Sequence, residues 1–349
     1  MAANIPDTRL FEFAGRVRGQ TILITGAAKG LGREAAVTFG RYGANVVIGD
    51  IDVKSAEETV SEIKKVGGYV FPPSLRPSSY REPSRDAVAK LCNVLEYDQQ
   101  AALFQFALSK YGRIDVVIPN AGVTETASLT AVRLNEQGLP TKPNLKTVEI
   151  NLISVLYTTQ LAAYYLAKNE NEGSLKTLVL IGSMGSISGI PGAPLYSSSK
   201  HAIVGLMRSI KDEFDLKGMR VATVCPWFAN TAIVPTALKT LLAGIPFVPT
   251  TKVAAAFVRA ATDADPETNG SAYTLPDERE VYRIPHTFIN EGVYKMINDR
   301  AKRLKSFGQS IITFVALVKL FARSPLAKLL IGVAVGYKAY QIAVSRGLV

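Results

Sequence analysis

Short runs rich in β-branched and apolar residues recur along the chain, and longer amphipathic stretches separate them. The runs cover residues 21–25, 45–50, 114–118, 177–181, 220–224 and 272–275, and the clearest helical stretch lies at about 32–42. Continuous apolar strands separated by helices are typical of a parallel sheet covered on both faces. The pattern therefore predicts an α/β, doubly wound fold.

Two stretches interrupt this alternation. Residues 71–87 contain four prolines and four serines, which predicts an exposed inserted loop. Residues 301–349 form a hydrophobic and basic tail, in which the apolar runs 311–320 and 329–337 are separated by Pro325. Neither run reaches the roughly 18 apolar residues of a plain spanning helix. We expect a helical tail that associates with a membrane, and the alternative is that it packs on the body or on a second subunit.

Charge is concentrated at the C-terminal end. Residues 295–349 hold ten of the 40 basic residues and one acid, whereas residues 1–294 hold 30 basic residues and 28 acids. A basic tail within apolar sequence favours an anionic membrane surface over nucleic acid, because no basic stretch alternates with aromatic stacking residues. The two cysteines and two histidines predict neither a disulfide framework nor a metal site. We expect an intracellular protein, with the cytoplasmic face of a membrane as one location.

A glycine-rich turn follows the first predicted strand and opens into the first helix. Glycine lets the backbone approach a pyrophosphate, and the N–H groups at a helix start bind it. Asp50 ends the second strand, 18 residues beyond Gly32, near the spacing of a carboxylate that binds the adenosine ribose. Its charge repels a 2′-phosphate, so NAD is favoured, whereas Lys29 supports NADP as the alternative. The residues expected to hold the cofactor here are Gly26, Lys29, Gly30, Leu31, Gly32 and Asp50.

A tyrosine and a lysine four residues apart lie on one face of a predicted helix. Tyr196 and Lys200 have this spacing, and Ser183 stands 13 residues before Tyr196, at the end of a predicted strand. A second pair, Tyr164 and Lys168, has no hydroxyl at the corresponding earlier position and is interpreted as ordinary helix surface. A tyrosine is a poor base near neutral pH unless a cation stabilises its phenolate, and Lys200 is that cation.

These motifs together resemble the classical short-chain dehydrogenase/reductase family from about residue 20 to residue 276. The resemblance implies a Rossmann-type domain over 20–300 after an N-terminal segment, 1–19. It also implies a catalytic set of Asn151, Ser183, Tyr196 and Lys200, in which Ser183 holds the substrate oxygen and Asn151 anchors a water. By the same resemblance Tyr196 and Lys200 contact the cofactor, together with Asn93, Val94, Asn120, Ala121, Gly122 and Thr231.

The segment 227–250 corresponds to the family's substrate lid. It contains one charged residue, Lys239, and Trp227 replaces the family's usual glycine. An apolar lid fits an apolar substrate, so we expect a lipophilic secondary alcohol or ketone. The nearest subgroup looks like hydroxyprostaglandin dehydrogenases and secondary-metabolite members. The alternatives are an NADPH-dependent ketoreductase and a non-catalytic nucleotide-binding membrane scaffold. The family's frequent homo-oligomers suggest a homo-oligomer here.

Overall fold

A computed structural model describes residues 3–65, 86–231, 234, 239–240, 242–286 and isolated positions between 296 and 311. In these residues nine strands form one sheet, with the order β1-β9-β8-β7-β6-β5-β2-β3-β4. The strands are β1 (Ala3–Ile5), β2 (Thr21–Thr25), β3 (Asn45–Asp50), β4 (Ala87–Leu91), β5 (Val116–Pro119), β6 (Thr177–Ile181), β7 (Arg220–Pro226), β8 (Ala272–Leu275) and β9 (Val281–Ile284).

The strands from β2 to β8 pair in parallel, and β9 and β1 extend one edge antiparallel. β2 pairs with both β3 and β5, so the chain reverses its direction across the sheet between β2 and β5. In open α/β sheets this reversal opens a crevice at the carboxyl ends of the strands, where ligands bind.

Two helical layers cover the sheet. The helices are α1 (Gly30–Arg41), α2 (Val53–Lys65), α3 (Tyr97–Tyr111), α4 (Ser154–Ala167), α5 (Pro194–Leu216) and α6 (Thr250–Thr262). Within β2, Ile22 and Ile24 join the apolar core beneath α1, α2 and α6, while Leu23 joins the core beneath α3, α4 and α5. This two-residue alternation follows from the pleat of a strand. The predicted Rossmann-type, doubly wound architecture is confirmed.

The strand bounds differ from the prediction in places. The strand predicted from residue 114 begins at Val116. Just before it, the Asp115 carboxylate accepts the Thr21 N–H at 2.8 Å. The pattern missed β1, β4 and β9. Of the predicted insertion 71–87, residues 71–85 lie outside the described residues, and Ala87 belongs to β4 rather than to a loop.

The N-terminal segment, predicted to be separate from the domain, contributes to it. Residues 3–5 pair with β9, and Lys252 on α6 contacts Asp7 at 2.9 Å. Arg259 on the same helix contacts Glu12 at 2.8 Å. The chain divides into compact units at residue 288, not at 300. The predicted tail, 301–349, lies outside the described residues apart from a few positions. No helix among the described residues has the length and apolarity to span a membrane.

Candidate active site

A cleft of about 880 Å³ lies at the carboxyl ends of the central strands. All but two of the predicted site residues line this cleft. The other two, Gly32 and Asn151, contact residues that line it. Those in the wall are Gly26, Lys29, Gly30, Leu31, Asp50, Asn93, Val94, Asn120, Ala121, Gly122, Ser183, Tyr196, Lys200 and Thr231. Residues from separate parts of the chain thus meet in one concave site.

The glycine-rich turn is closed against the end of β5. Gly26 has a φ of 67°, and a Cβ there would lie 2.6 Å from the Ala121 Cα atom. A Cβ on Gly32 would lie 2.3 Å from the Gly26 carbonyl oxygen. The Asn120 side-chain amide donates to that same carbonyl at 2.8 Å. A side chain at either glycine would fill the turn, so the backbone can approach a pyrophosphate only because both are glycine.

Helix α1 begins in this turn without a side-chain cap. Its N-cap residue is Lys29, whose side chain accepts no N–H of the first helical turn. The first N–H groups of a helix lack partners inside the helix and attract anions. These residues therefore fit the diphosphate of a dinucleotide.

Two carboxylates stand at the end of β3. The Asp50 carboxylate accepts the Ala28 N–H at 2.9 Å and the Asp52 N–H at 3.0 Å, which fixes its orientation at the cleft. Asp52 accepts the Lys29 ammonium at 2.7 Å. This hydrogen bond lowers the pKa of Asp52 to about 2 and raises the pKa of Lys29. Sequence reasoning missed Asp52, although the repeated acid in Asp50-Ile51-Asp52 was a visible signal.

The loop after β4 forms the far end of the cleft. The Asn93 side-chain oxygen accepts the Leu95 N–H at 3.1 Å, and the Asn93 backbone N–H donates to Gln99 at 2.8 Å. The Asn93 oxygen thus holds its own loop in shape. Val94 lies beside it, 8% exposed, with its side chain in the core beneath α3.

Tyr196 and Lys200 lie one turn apart on α5, at the reacting end of the cleft. The Lys200 ammonium donates to the Ile181 carbonyl at 3.0 Å and lies 5.8 Å from the centre of the Tyr196 ring. Burial lowers the pKa of Lys200 to about 8. Burial also raises the pKa of Tyr196, and a hydrogen bond with Ser183 partly opposes this. The direction for Tyr196 differs from our expectation, because removal of the phenol from water outweighs the hydrogen bond with Ser183.

Ser183 follows β6 and is held in place by its neighbours. Its hydroxyl oxygen accepts the Gly185 N–H at 3.0 Å, and its own N–H donates to the Ser186 hydroxyl at 3.1 Å. Ser183 and Ser186 thus cap a short 3₁₀ turn reciprocally, and Ser183 is 7% exposed at the cleft wall. The Tyr196 phenol lines the same cleft, and a hydrogen bond with Ser183 acts on its pKa.

Asn151 lies in a π-helical stretch, Glu149–Ile153, that leads into α4. Its side-chain nitrogen donates to the Val123 carbonyl at 2.8 Å, and its side-chain oxygen accepts the Val123 N–H at 2.8 Å. The fully buried carboxamide holds the segment that follows Gly122. The water-anchoring role expected of Asn151 stays a prediction.

The second tyrosine and lysine pair is separate from the cleft. The Lys168 ammonium donates to the Tyr164 hydroxyl at 2.7 Å on the outer surface of α4, and the Tyr164 residue is 53% exposed. The interpretation of this pair as helix surface agrees with its position.

Apolar side chains dominate the substrate end of the cleft. The Trp227 and Phe228 rings pack edge to face, with their centres 4.8 Å apart. The backbone N–H of Trp227 donates to the Leu275 carbonyl at 2.8 Å, which extends the β7–β8 pairing into the lid. The single lid charge, Lys239, donates to Asn230 at 2.8 Å. Other apolar residues lining the cleft are Val123, Ile150, Ile190, Pro191 and Val234.

Comparison with known proteins defines the class of this site. The sequence profile of the short chain dehydrogenase family matches residues 20–75 and 76–241. The chain therefore belongs to that family, whose members are oxidoreductases that act on CH–OH groups with a nicotinamide cofactor.

Individual relatives agree with this assignment. The chain is 32% identical over 216 residues to 3-oxoacyl-[acyl-carrier-protein] reductase FabG of Thermotoga maritima, covering 62% of this chain and 76% of the relative. It is 29% identical over 219 residues to human 15-hydroxyprostaglandin dehydrogenase [NAD(+)], covering 62% and 71%. A crystal structure of 3-ketoacyl-(acyl-carrier-protein) reductase from Brucella melitensis complexed with NADH has the same fold. That likeness has a TM-score of 0.62 at 22% identity and covers 75% of this chain and 99% of the other.

Proposed function

We propose that this protein uses NAD to oxidise a lipophilic secondary alcohol, with Tyr196 as the general base. The observation that carries the cofactor preference is the pair of carboxylates at the end of β3. Two backbone N–H groups donate to the Asp50 carboxylate and fix its orientation. Asp52 forms an ion pair with Lys29, the basic residue expected to favour NADP.

The preference for NAD follows from charge. A 2′-phosphate beside Asp50 would bring two negative groups together, whereas a ribose 2′-hydroxyl can donate a hydrogen bond to the same carboxylate. Lys29 could offset the phosphate only by leaving Asp52, which then adds a second repulsive carboxylate. Both arrangements disfavour NADP.

The chemistry requires a proton and a hydride to leave the same carbinol. The Tyr196 phenolate accepts the hydroxyl proton, and Ser183 donates a hydrogen bond to the same substrate oxygen. Lys200, held by the Ile181 carbonyl, stabilises the phenolate when it carries its proton. The bound oxidised nicotinamide supplies the hydride acceptor and a positive charge that favours the phenolate. The products are a ketone, the reduced cofactor and the proton on Tyr196.

An apolar substrate is supported by the lid and by the rest of the cleft wall. Trp227, Phe228 and Val234 of the lid line the cleft, and so do Val123 and Ile150. Burying an alkyl or ring substrate there gains roughly 25 cal/mol per Å² of apolar surface removed from water. The relative that acts on hydroxyprostaglandin, named with NAD(+), agrees with this substrate class and cofactor.

The cofactor test is a fluorescence titration of the full-length protein with NADH and with NADPH. We expect NADH to bind at least about tenfold more tightly, because the 2′-phosphate meets Asp50. Asp52→Asn should release Lys29 and strengthen NADPH binding, with little change for NADH. Glu57→Gln makes the same charge change on an exposed position of α2 and should alter neither affinity. Tighter NADPH binding by the wild type would instead support the ketoreductase alternative.

The substrate test measures NAD reduction with 2-butanol and 2-decanol. An apolar cleft predicts that kcat/KM rises with chain length, because each buried methylene adds about 0.8 kcal/mol of binding. Equal values for the two alcohols would contradict the apolar substrate class. Absence of NAD reduction with both, together with reduction of 2-decanone by NADPH, would overturn the proposed direction.

A further inference from the structure

Helix α5 carries both Tyr196 and Lys200, yet it starts without a local cap. Its N-cap residue, Ala193, has no side chain that could accept a hydrogen bond, and its first residue, Pro194, has no N–H. The Ser197 N–H already donates to the Ala193 carbonyl at 2.9 Å. The N–H groups of Leu195 and Tyr196 are therefore the donors of this first turn that need partners from outside the helix.

One carboxylate, from a segment distant in the sequence, accepts hydrogen bonds from both donors. Glu125 accepts the Tyr196 N–H at 2.7 Å and the Leu195 N–H at 3.2 Å. Glu125 is half-buried, lines the cleft and lies 71 residues before Tyr196. A negative charge at a helix start is also favoured by the helix dipole.

The segment that carries Glu125 is held on both sides. Before it, Asn151 binds the backbone N–H and carbonyl of Val123. After it, the Thr147 hydroxyl accepts the Thr126 N–H at 3.0 Å. The Thr147 hydroxyl also lies 3.3 Å from the Thr124 carbonyl, to which it donates. The stretch of chain that leads into α4 thus fixes the Glu125 carboxylate. The carboxylate in turn fixes the start of α5.

We propose that Glu125 is a positioning residue, whose carboxylate fixes the first turn of α5 and thereby the place of the Tyr196 phenol beside Ser183. The inference rests on the proposed function, in which Tyr196 is the base. Since Glu125 holds the backbone of Tyr196 itself, loss of the carboxylate releases the turn from which the phenol projects. Small displacements of a reacting group reduce turnover strongly, by about 100-fold for 1 Å.

The experiment compares Glu125→Ala and Glu125→Gln with Glu136→Ala, which alters an exposed acid on the same segment. Three measurements are made on the full chain: hydrogen exchange of the amides of 195 and 196, the Kd for NADH, and kcat with 2-decanol and NAD. For Glu125→Ala we expect faster exchange, an NADH Kd within about twofold of wild type, and a kcat lowered about 10- to 100-fold. Glu125→Gln should restore part of both losses, because its single amide oxygen can still accept one of the two N–H groups that the two carboxylate oxygens accept.

Several results would overturn the proposal. Unchanged exchange in Glu125→Ala would show that the carboxylate does not hold the helix start. Faster exchange with a wild-type kcat would show that the first turn does not position the phenol. Equal losses of kcat and NADH affinity, or the same losses in Glu136→Ala, would indicate a general structural defect. If the wild type does not oxidise 2-decanol, the proposed function fails, whereas the exchange rates still decide whether Glu125 caps α5.

Discussion

Lys200→Met should stabilise the folded protein at pH 7 while it abolishes turnover. The Lys200 residue is 5% exposed, and its ammonium has a hydrogen bond to the Ile181 carbonyl. Burial lowers its pKa from 10.5 to about 8, which shows that the fold disfavours the charged form. Methionine has a similar length and no charge, so it removes this unfavourable burial and leaves the core packed.

The magnitude follows from the change in pKa. At about 1.4 kcal/mol per pKa unit, the difference between 10.5 and about 8 corresponds to about 3 kcal/mol. Loss of the hydrogen bond to the Ile181 carbonyl offsets about 1–2 kcal/mol of that gain. We therefore expect the variant to be about 1–2 kcal/mol more stable than the wild type at pH 7.

The difference should depend on pH. Below pH 8 the lysine is protonated in both the folded and the unfolded protein, so the full unfavourable burial applies. Between pH 8 and 10.5 the folded protein binds fewer protons than the unfolded chain, so the wild type gains stability relative to the variant as pH rises. By pH 10 the advantage of methionine should have fallen by about 2–3 kcal/mol and vanished.

The assay is urea unfolding of both proteins at pH 7 and pH 10, followed by far-ultraviolet circular dichroism. Lys168→Met, an exposed change on α4, serves as a control in which no such pH-dependent difference is expected. A Lys200→Met protein that is less stable than wild type at pH 7 would refute the reasoning. A stability difference that stays constant from pH 7 to pH 10 would refute it as well.

Four further outcomes are expected. Tyr196→Phe should lower kcat with 2-decanol by about 10²–10⁴-fold while the NADH Kd stays within twofold, as measured by steady-state kinetics and fluorescence titration. Gly32→Ala should abolish NADH binding, because its Cβ would lie 2.3 Å from a backbone carbonyl. A Cβ at Gly205 would meet no atom within 4 Å outside its own helix backbone and chain neighbours. Gly205→Ala should therefore raise the free energy of unfolding by about 0.5–1 kcal/mol. Asn151→Ala should lower the free energy of unfolding, measured in urea, by about 2 kcal/mol, because the buried carboxamide loses its two hydrogen bonds to Val123.

The sequence by itself was enough for the architecture and for many of the residues that line the cleft. Strands β2, β3, β6 and β8 have the predicted bounds, because a strand buried on both faces forms a nearly continuous apolar run. The glycine turn, Asp50, and the Tyr196 and Lys200 pair were visible because each depends on local spacing along one strand end or one helix face. The short antiparallel strands β1 and β9 were not visible, because three or four residues carry too little pattern.

The tertiary structure decided which charges meet. It pairs Lys29 with Asp52, and it brings Glu125 to the start of α5. It also brings the Asn151 carboxamide to Val123, and it makes burial the dominant influence on the pKa of Tyr196. Hydrogen bonds and Coulomb interactions depend on distances between atoms, and desolvation depends on what surrounds a group. For residues 23, 28 and 71 positions apart in the chain, those distances exist only after the sheet and its helices have packed.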